Sequence, residues 1–334
     1  MTGMVQSFVH RQSAHCESGV MSSLLTHYGL PISEAMAFGL AGCLAFAYLP
    51  MFKIAGQPLI SYRMPPGAIR RGLRRRIGVR MVAERFRRPA DGGRRLDELL
   101  DQGFLVGLQA SAFWLPYFPP EMRFHFNAHN LLVYGRKHGG YLVSDPIFEA
   151  PHFCDRADLE RARFATGALA SRGLLYYLTA PPLPVDYPRA IRKAIRANRR
   201  IMTGAPLPII GLRGIRHLGR NLVAREKMDD PQRLRLFLAH LVRMQEEIGT
   251  GGAGFRFLYA CFLQEAAREL GSDLLHEASA RMTQAGDLWR EFALRASKMS
   301  KQRQPMDAPL LNRLLNDCAD REQSTWALLG RLNP

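Results

Sequence analysis

At 334 residues, 47% of them hydrophobic, the chain has enough apolar side chain to fill the cores of two ordinary domains. The 46 lysines and arginines outnumber the 29 aspartates and glutamates, and the net charge of +17 implies a polyanionic or acidic partner. Its basic clusters at 70–95, 189–200 and 213–227 alternate with Leu, Ile, Val and Ala at helical spacing, not with stacking aromatics, so no nucleic-acid partner is expected.

The first 18 residues are broken up by Gln6, His10, Arg11 and His15, unlike the basic-then-apolar pattern of an export signal. The longest apolar run, Ala35–Leu49, falls short of the ~20 residues that cross a bilayer and reads as a buried helix. Cys16, Cys43, Cys154, Cys261 and Cys318 are scattered without a CxxC pair or a zinc-like histidine spacing. Neither a disulfide framework nor a metal site is expected, and a reducing cytoplasm is the expected location.

In chain order, a helix opens near Cys16, an Ala/Gly-rich helix follows from Ser33, and a basic helical region runs from Pro66 to about Arg88. Strands are predicted over 104–110, 130–134, 141–144 and 173–178. The second and third flank the turn-rich RKHGG and pair as an antiparallel hairpin. TAPPLPVDYP at 179–188 can continue neither a helix nor a central strand, which places a domain boundary there. Beyond it the pattern is helical. Leu234, Phe237, Leu238, Leu241 and Met244 form one stripe, and Phe255, Leu258, Tyr259, Phe262 and Leu263 another. Two long amphipathic segments follow over 272–299 and 308–332. The fold class is α+β in the first part and all-α in the second.

Three residues could carry chemistry. Cys16 stands where polar residues give way to an apolar periodic run, and a cysteine in the first turn of a helix has its thiolate favoured by free backbone NH groups and the dipole. Its own NH could face an oxyanion. The bland reading is a small buried hydrophobe. His129 opens the strand HNLLVYG, where a rigid backbone can hold a base over a cleft, with His125 as a competitor on a loop. Asp145 closes the partner strand in YLVSDP. If the hairpin forms, the start of one strand lies beside the end of the other, and Asp145 comes within reach of His129. Taken alone, Asp-Pro is a common strand-terminating turn. Gln12, with Gln6 as an alternative, could supply a side-chain donor to the oxyanion. Glu34 reads as an early-helix acid with no assigned role.

At these residues the sequence resembles the family of butirosin biosynthesis protein H, and more distantly the papain-like peptidases that remove bacteriocin leader peptides. HCESGVMSSLLTHYGLPISEAMAFGLAGCLAFAY, GFLVGLQASAFWLPY, HNLLVYG and YLVSDP carry the likeness in the first part, and IGTGGAGFRFLYACFLQEAA (Ile248–Ala267) in the second. The resemblance implies a papain-like catalytic domain over 1–180 and a helical domain over 189–334 that covers the site. It further implies an acyltransferase that takes an acyl group from the phosphopantetheine thioester of an acyl carrier protein and delivers it to a small-molecule amine. Cys16 would be the nucleophile, His129 the base and Asp145 its orienting partner. No bound cofactor is implied beyond the carrier's phosphopantetheine arm. The 70–95 segment is more basic than the resemblance requires, which suits an acidic carrier protein.

Gly251 and Gly252, with Arg256 and Tyr259, would then line the substrate site, the helix start at GTGGAG holding the pantetheine phosphate; the competing reading is a glycine-rich turn between helices. Phe113, Trp114 and Tyr117 could set acyl-chain length or belong to the core. Two other functions fit less of the sequence: a cysteine peptidase or thioesterase with water as acceptor, and a non-enzymatic basic binding protein.

Overall fold

The hairpin foreseen around RKHGG sits near the middle of a six-stranded antiparallel sheet. The computed structural model describes residues 8–54 and 56–332. In chain order the elements are α1 (Cys16–His27), α2 (Glu34–Leu40), β1 (Leu44–Ile54), β2 (Gln57–Arg63), α3 (Ala68–Ile77), β3 (Met81–Glu84), α4 (Pro89–Asp101) and β4 (Val106–Ala110). Next come β5 (His129–Lys137), β6 (Gly140–Ser144), β7 (His152–Asp155), α5 (Arg156–Arg163), β8 (Leu175–Leu178) and α6 (Tyr187–Gly204). The series ends with α7 (Gly211–Met228), α8 (Pro231–Val242), α9 (Arg256–Leu270), α10 (Asp273–Ser300) and α11 (Ala308–Leu329).

The chain divides into two compact units, one of Met1–Ala37 and Leu73–Pro184, the other of Phe38–Gly72 and Val185–Pro334. In the first, the sheet order is β3-β8-β4-β5-β6-β7, with every neighbour antiparallel. His138 and Gly139 both have positive φ, the two-residue loop whose twist matches the strands it joins, so β5 folds directly back into β6. Leu96, Leu99 and Leu100 of α4 and Leu159 and Ala162 of α5 share a buried core with Val106, Leu108, Leu131, Val133 and Val143 of the sheet. Helix α1 packs against β5.

The second unit joins the β1–β2 hairpin to the six helices α6 to α11. Residues 38–72, which the sequence reading assigns to the first domain, belong here because their buried aromatics find partners within this unit: Phe46 and Tyr62 lie 5.7 and 5.5 Å from the Trp289 ring, and the Tyr48 hydroxyl donates to Asn221 at 2.6 Å. The passage from 184 to 185 falls inside the proline-rich segment. At the centre of the unit Arg256 is fully buried and paired with Glu322, Nε to Oε1 at 2.9 Å and Nη2 to Oε2 at 3.3 Å, while Trp289 Nε1 donates to the same Oε1 at 2.7 Å.

Two expectations about elements are corrected. The run Ala35–Leu49 is a helix only as far as Leu40 and then becomes β1, whose Leu44, Phe46 and Tyr48 are buried. The basic stretch from Pro66 to Arg88 is helical only over Ala68–Ile77. It ends at Gly78 (φ +69), and β3 follows. Among the described residues no helix is long and apolar enough to cross a membrane.

Removing one member of a fully buried ion pair leaves the other uncompensated, so Glu322→Ala should lower unfolding stability by about 3–5 kcal/mol. Replacing Arg256 by Met and Glu322 by Leu together should be much milder. Urea denaturation of the two variants checks this, and a milder single substitution than double would contradict it.

Candidate active site

Cys16 is the first residue of α1, and its position is fixed by what surrounds the helix start. The residue before it, His15, caps the helix from extended backbone, its Nδ1 accepting from the Ser18 amide at 3.3 Å. The Glu34 carboxylate reaches back from the start of α2. Its Oε2 accepts from the Ala14 amide at 2.8 Å, and its Oε1 from the His15 amide at 2.7 Å and the Ser18 hydroxyl at 2.9 Å. Burial raises the Glu34 pKa while those three donors pull it the other way. One turn into α1, Gly19 admits the neighbouring chain: an added Cβ would come within 2.6 Å of Ser13 Cβ and 2.7 Å of Pro146 Cβ. The Ser13 amide donates to the Pro146 carbonyl at 2.6 Å, tying the approach to the helix to the loop that follows β6.

That loop begins with Asp145, and His129 opens β5. Both are buried, and His129 Nε2 donates to Asp145 Oδ2 at 2.7 Å. The carboxylate has two further donors, the Tyr117 hydroxyl to Oδ2 at 3.0 Å and the Ile147 amide to Oδ1 at 3.3 Å. The Phe118 ring stands perpendicular to the imidazole, ring centroids 5.3 Å apart. The Cys16 sulfur acts on the same imidazole, favouring its charged form. Since Nε2 is committed to Asp145, Nδ1 is the nitrogen left for the sulfur.

Burial by itself would lower the His129 pKa, but the charge and hydrogen bond of Asp145, joined by the Cys16 sulfur, overrule it and raise it to about 10. The imidazole is therefore an imidazolium at neutral pH. Burial, then the Asp145 charge, holds the Tyr117 pKa well above its ordinary value, so the phenol stays a donor to the carboxylate. Only 6% of Cys16 is exposed. A surface hollow of the same unit, lined by Gly139, Asp155, Arg156, Ala157, Asp158 and Glu160, includes none of the three residues.

The structure thus brings Cys16, His129 and Asp145 together, and the remaining candidates behave otherwise. His125 is exposed and stacks on Phe113 with centroids 4.0 Å apart, outside the Asp145 pair. Gln12 is exposed, and its amide nitrogen donates to the Ile147 carbonyl at 3.4 Å, so this donor is spent on the loop after β6. Gln6 lies outside the described residues.

Gly251, Gly252, Arg256 and Tyr259 belong to the second unit, where, of the two readings of GTGGAG, the geometry is that of the glycine-rich turn. The Gly252 amide donates to Thr250 Oγ1 at 3.1 Å, and the Ala253 amide to the Glu246 carboxylate at 3.1 and 3.2 Å, so the amides an anion would need already face a carboxylate and a hydroxyl. Gly251 and Gly252 take positive φ (+67° and +84°) to make that turn. Arg256 and Tyr259 are fully buried in the core. The sequence reading missed the supporting roles of Glu34 and Tyr117, because nothing in their local spacing marks a carboxylate that caps a distant helix or a phenol that reaches a distant acid.

A cysteine opening a helix that packs on an antiparallel sheet, with histidine and aspartate supplied by that sheet, is the layout of a papain-like domain. Residues 15–146, which hold all three side chains, match Butirosin biosynthesis protein H, N-terminal, and residues 157–329, more than half of the chain, match the Domain of unknown function DUF4872. The chain belongs to this butirosin biosynthesis protein H-like family, with DUF4872 as its C-terminal part. A solved structure described as a C39-like peptidase from Bacillus anthracis is similar over 54% of this chain and 99% of that one, at 12% identity and a TM-score of 0.36. No curated protein matches.

The raised His129 pKa has a stability consequence of definite sign. Folding favours the protonated ring, so its contribution is complete below the unfolded-state value of about 6.5 and is lost as pH rises through about 10. The stability advantage of the wild type over His129→Asn should therefore shrink steadily across that interval when urea midpoints are compared. A difference independent of pH would contradict the charged pair.

Proposed function

We propose that the protein is an acyltransferase that accepts an acyl group on Cys16 from the phosphopantetheine thioester of an acidic acyl carrier protein and passes it to a small-molecule amine. The observation that carries this reading is the Cys16–His129–Asp145 cluster, in which one buried imidazole touches both the sulfur and a buried carboxylate. The family supplies the context, since the matched relative is named for a biosynthetic pathway.

In the first step the Cys16 thiolate, paired with the His129 imidazolium, attacks the carrier thioester. The new C–S bond forms, the bond to the pantetheine sulfur breaks, and the departing thiolate takes a proton from the His129 imidazolium. One thioester replaces another, so no activation by ATP is required. In the second step the amine nitrogen attacks the Cys16 thioester, His129 takes the amine's proton, and the sulfur leaves. Asp145 holds the imidazole in place and stabilises its charged form throughout. The Cys16 backbone NH, at the helix start, faces the oxyanion of each tetrahedral intermediate.

Two physical features favour this donor. A nucleophile on a residue as buried as Cys16 suits a slender, extended arm better than a bulky polypeptide. A net charge of +17 suits an acidic carrier, which it would steer at long range.

Incubation with an acyl-carrier thioester should add the acyl mass to Cys16, and Cys16→Ala should show no adduct, by intact-mass and peptide mass spectrometry. Adding a panel of amines should discharge the adduct as amide. Release of free acid alone would favour hydrolysis with water as acceptor. No adduct with any carrier-bound acyl group would overturn the proposal.

A further inference from the structure

Asn130 follows His129 in β5 and is nearly as deeply buried, at 4% exposure. Its Nδ2 lies 3.9 Å from Cys16 Sγ, within hydrogen-bonding range of sulfur, and 3.0 Å from the Ala128 carbonyl oxygen. The carbonyl can only accept, so the nitrogen end of the carboxamide must face it, and the same NH2 group directs its second hydrogen toward the sulfur. The oxygen end is held as well. The Tyr176 hydroxyl donates to Oδ1 at 3.0 Å, and flipping the amide would turn its oxygen to the Ala128 carbonyl and lose that bond.

The support continues into the sheet. Gly107 of β4 pairs with Tyr176 of β8, and the phenol ring lies across it so closely that a Cβ at 107 would stand 2.2 Å from a ring carbon. A glycine makes room for the ring, the ring's hydroxyl holds the amide oxygen, and the amide nitrogen meets the sulfur.

A neutral thiol is a weak acceptor and gains little from such a donor. A thiolate is a charged acceptor, and hydrogen bonds to charged groups are roughly twice as strong as neutral ones. We propose that Asn130 is a catalytic residue, its amide donating to the Cys16 sulfur and stabilising the thiolate on the side not served by His129. The inference rests on the reading of Cys16 as the nucleophile, and it gives Asn130 a contact with sulfur that Gln12, bonded to Ile147, lacks.

The test follows alkylation of Cys16 by iodoacetamide as a function of pH. The full-length protein is used, with peptide mass spectrometry to separate Cys16 from the exposed Cys261. Asn130→Ala should react about tenfold more slowly near pH 6, the size expected for a lost hydrogen bond to a charged group, and the gap should close at high pH, where the thiol ionises without help. Tyr176→Phe keeps the ring over Gly107 and removes only the hydroxyl; it should slow the reaction in the same pH-dependent way and by less. It also keeps the proposal testable if Asn130→Ala does not fold. Equal rates near pH 6 in folded variants, or an equal loss at every pH, would overturn the inference while leaving the nucleophile reading intact. A wild-type Cys16 no faster than Cys261 would overturn both.

Discussion

A carboxylate with no exposed surface has to be matched by donors, and Asp145 is matched by three: the His129 imidazole, the Tyr117 hydroxyl and the Ile147 amide. Much of the first unit can be understood from that requirement. The carboxylate sits where β6 ends, the imidazole where β5 begins, and the hairpin turn at His138–Gly139 sets the register that puts these two ends side by side. In return the aspartate keeps the imidazole charged, against a burial that would otherwise strip its proton. The sulfur is brought to this pair from a different part of the chain, so its placement needs separate support.

That support is a second, partly buried acid. Glu34 takes the backbone amides of Ala14 and His15 and the hydroxyl of Ser18, fixing the segment that delivers Cys16 to the helix start. The bond from Ser13 to Pro146 and the close approach at Gly19 then join that segment to the loop carrying Asp145. Two separate sets of hydrogen bonds, one on Glu34 and one on Asp145, therefore hold the segment before Cys16 and the imidazole, and the Ser13–Pro146 bond links the chain between them. In the second unit a comparable task falls to Glu322, which neutralises Arg256 and accepts from Trp289, and this pair is structural.

Where the sequence was legible, it was because a local rule has a single outcome. RKHGG between two β-rich runs specifies a tight hairpin, and the hairpin puts His129 near Asp145. A polar-to-apolar switch at Cys16 marks a helix start. Rules with two outcomes misled. A fully buried strand such as β1 carries the same unbroken apolar run as a buried helix, and Ala35–Leu49 contains some of each. β2 is not among the predicted strands: Ile60 and Tyr62 are buried and their neighbours less so, but the alternation is short. GTGGAG fits an anion cradle or a tight turn, and the choice lay with Glu246, whose carboxylate takes the Ala253 amide. Glu34, Tyr117 and Asn130 act through contacts distant in sequence, which neither composition nor periodicity records.

The central claim is that His129, buried between Cys16 and Asp145, carries a proton on both ring nitrogens at neutral pH. Nitrogen-15 NMR of the labelled imidazole reads that directly. The account predicts imidazolium chemical shifts that persist well above pH 7 and move only as the pH nears about 10. A ring that titrates close to the ordinary histidine value, or that shows a single neutral tautomer at pH 7, would contradict it.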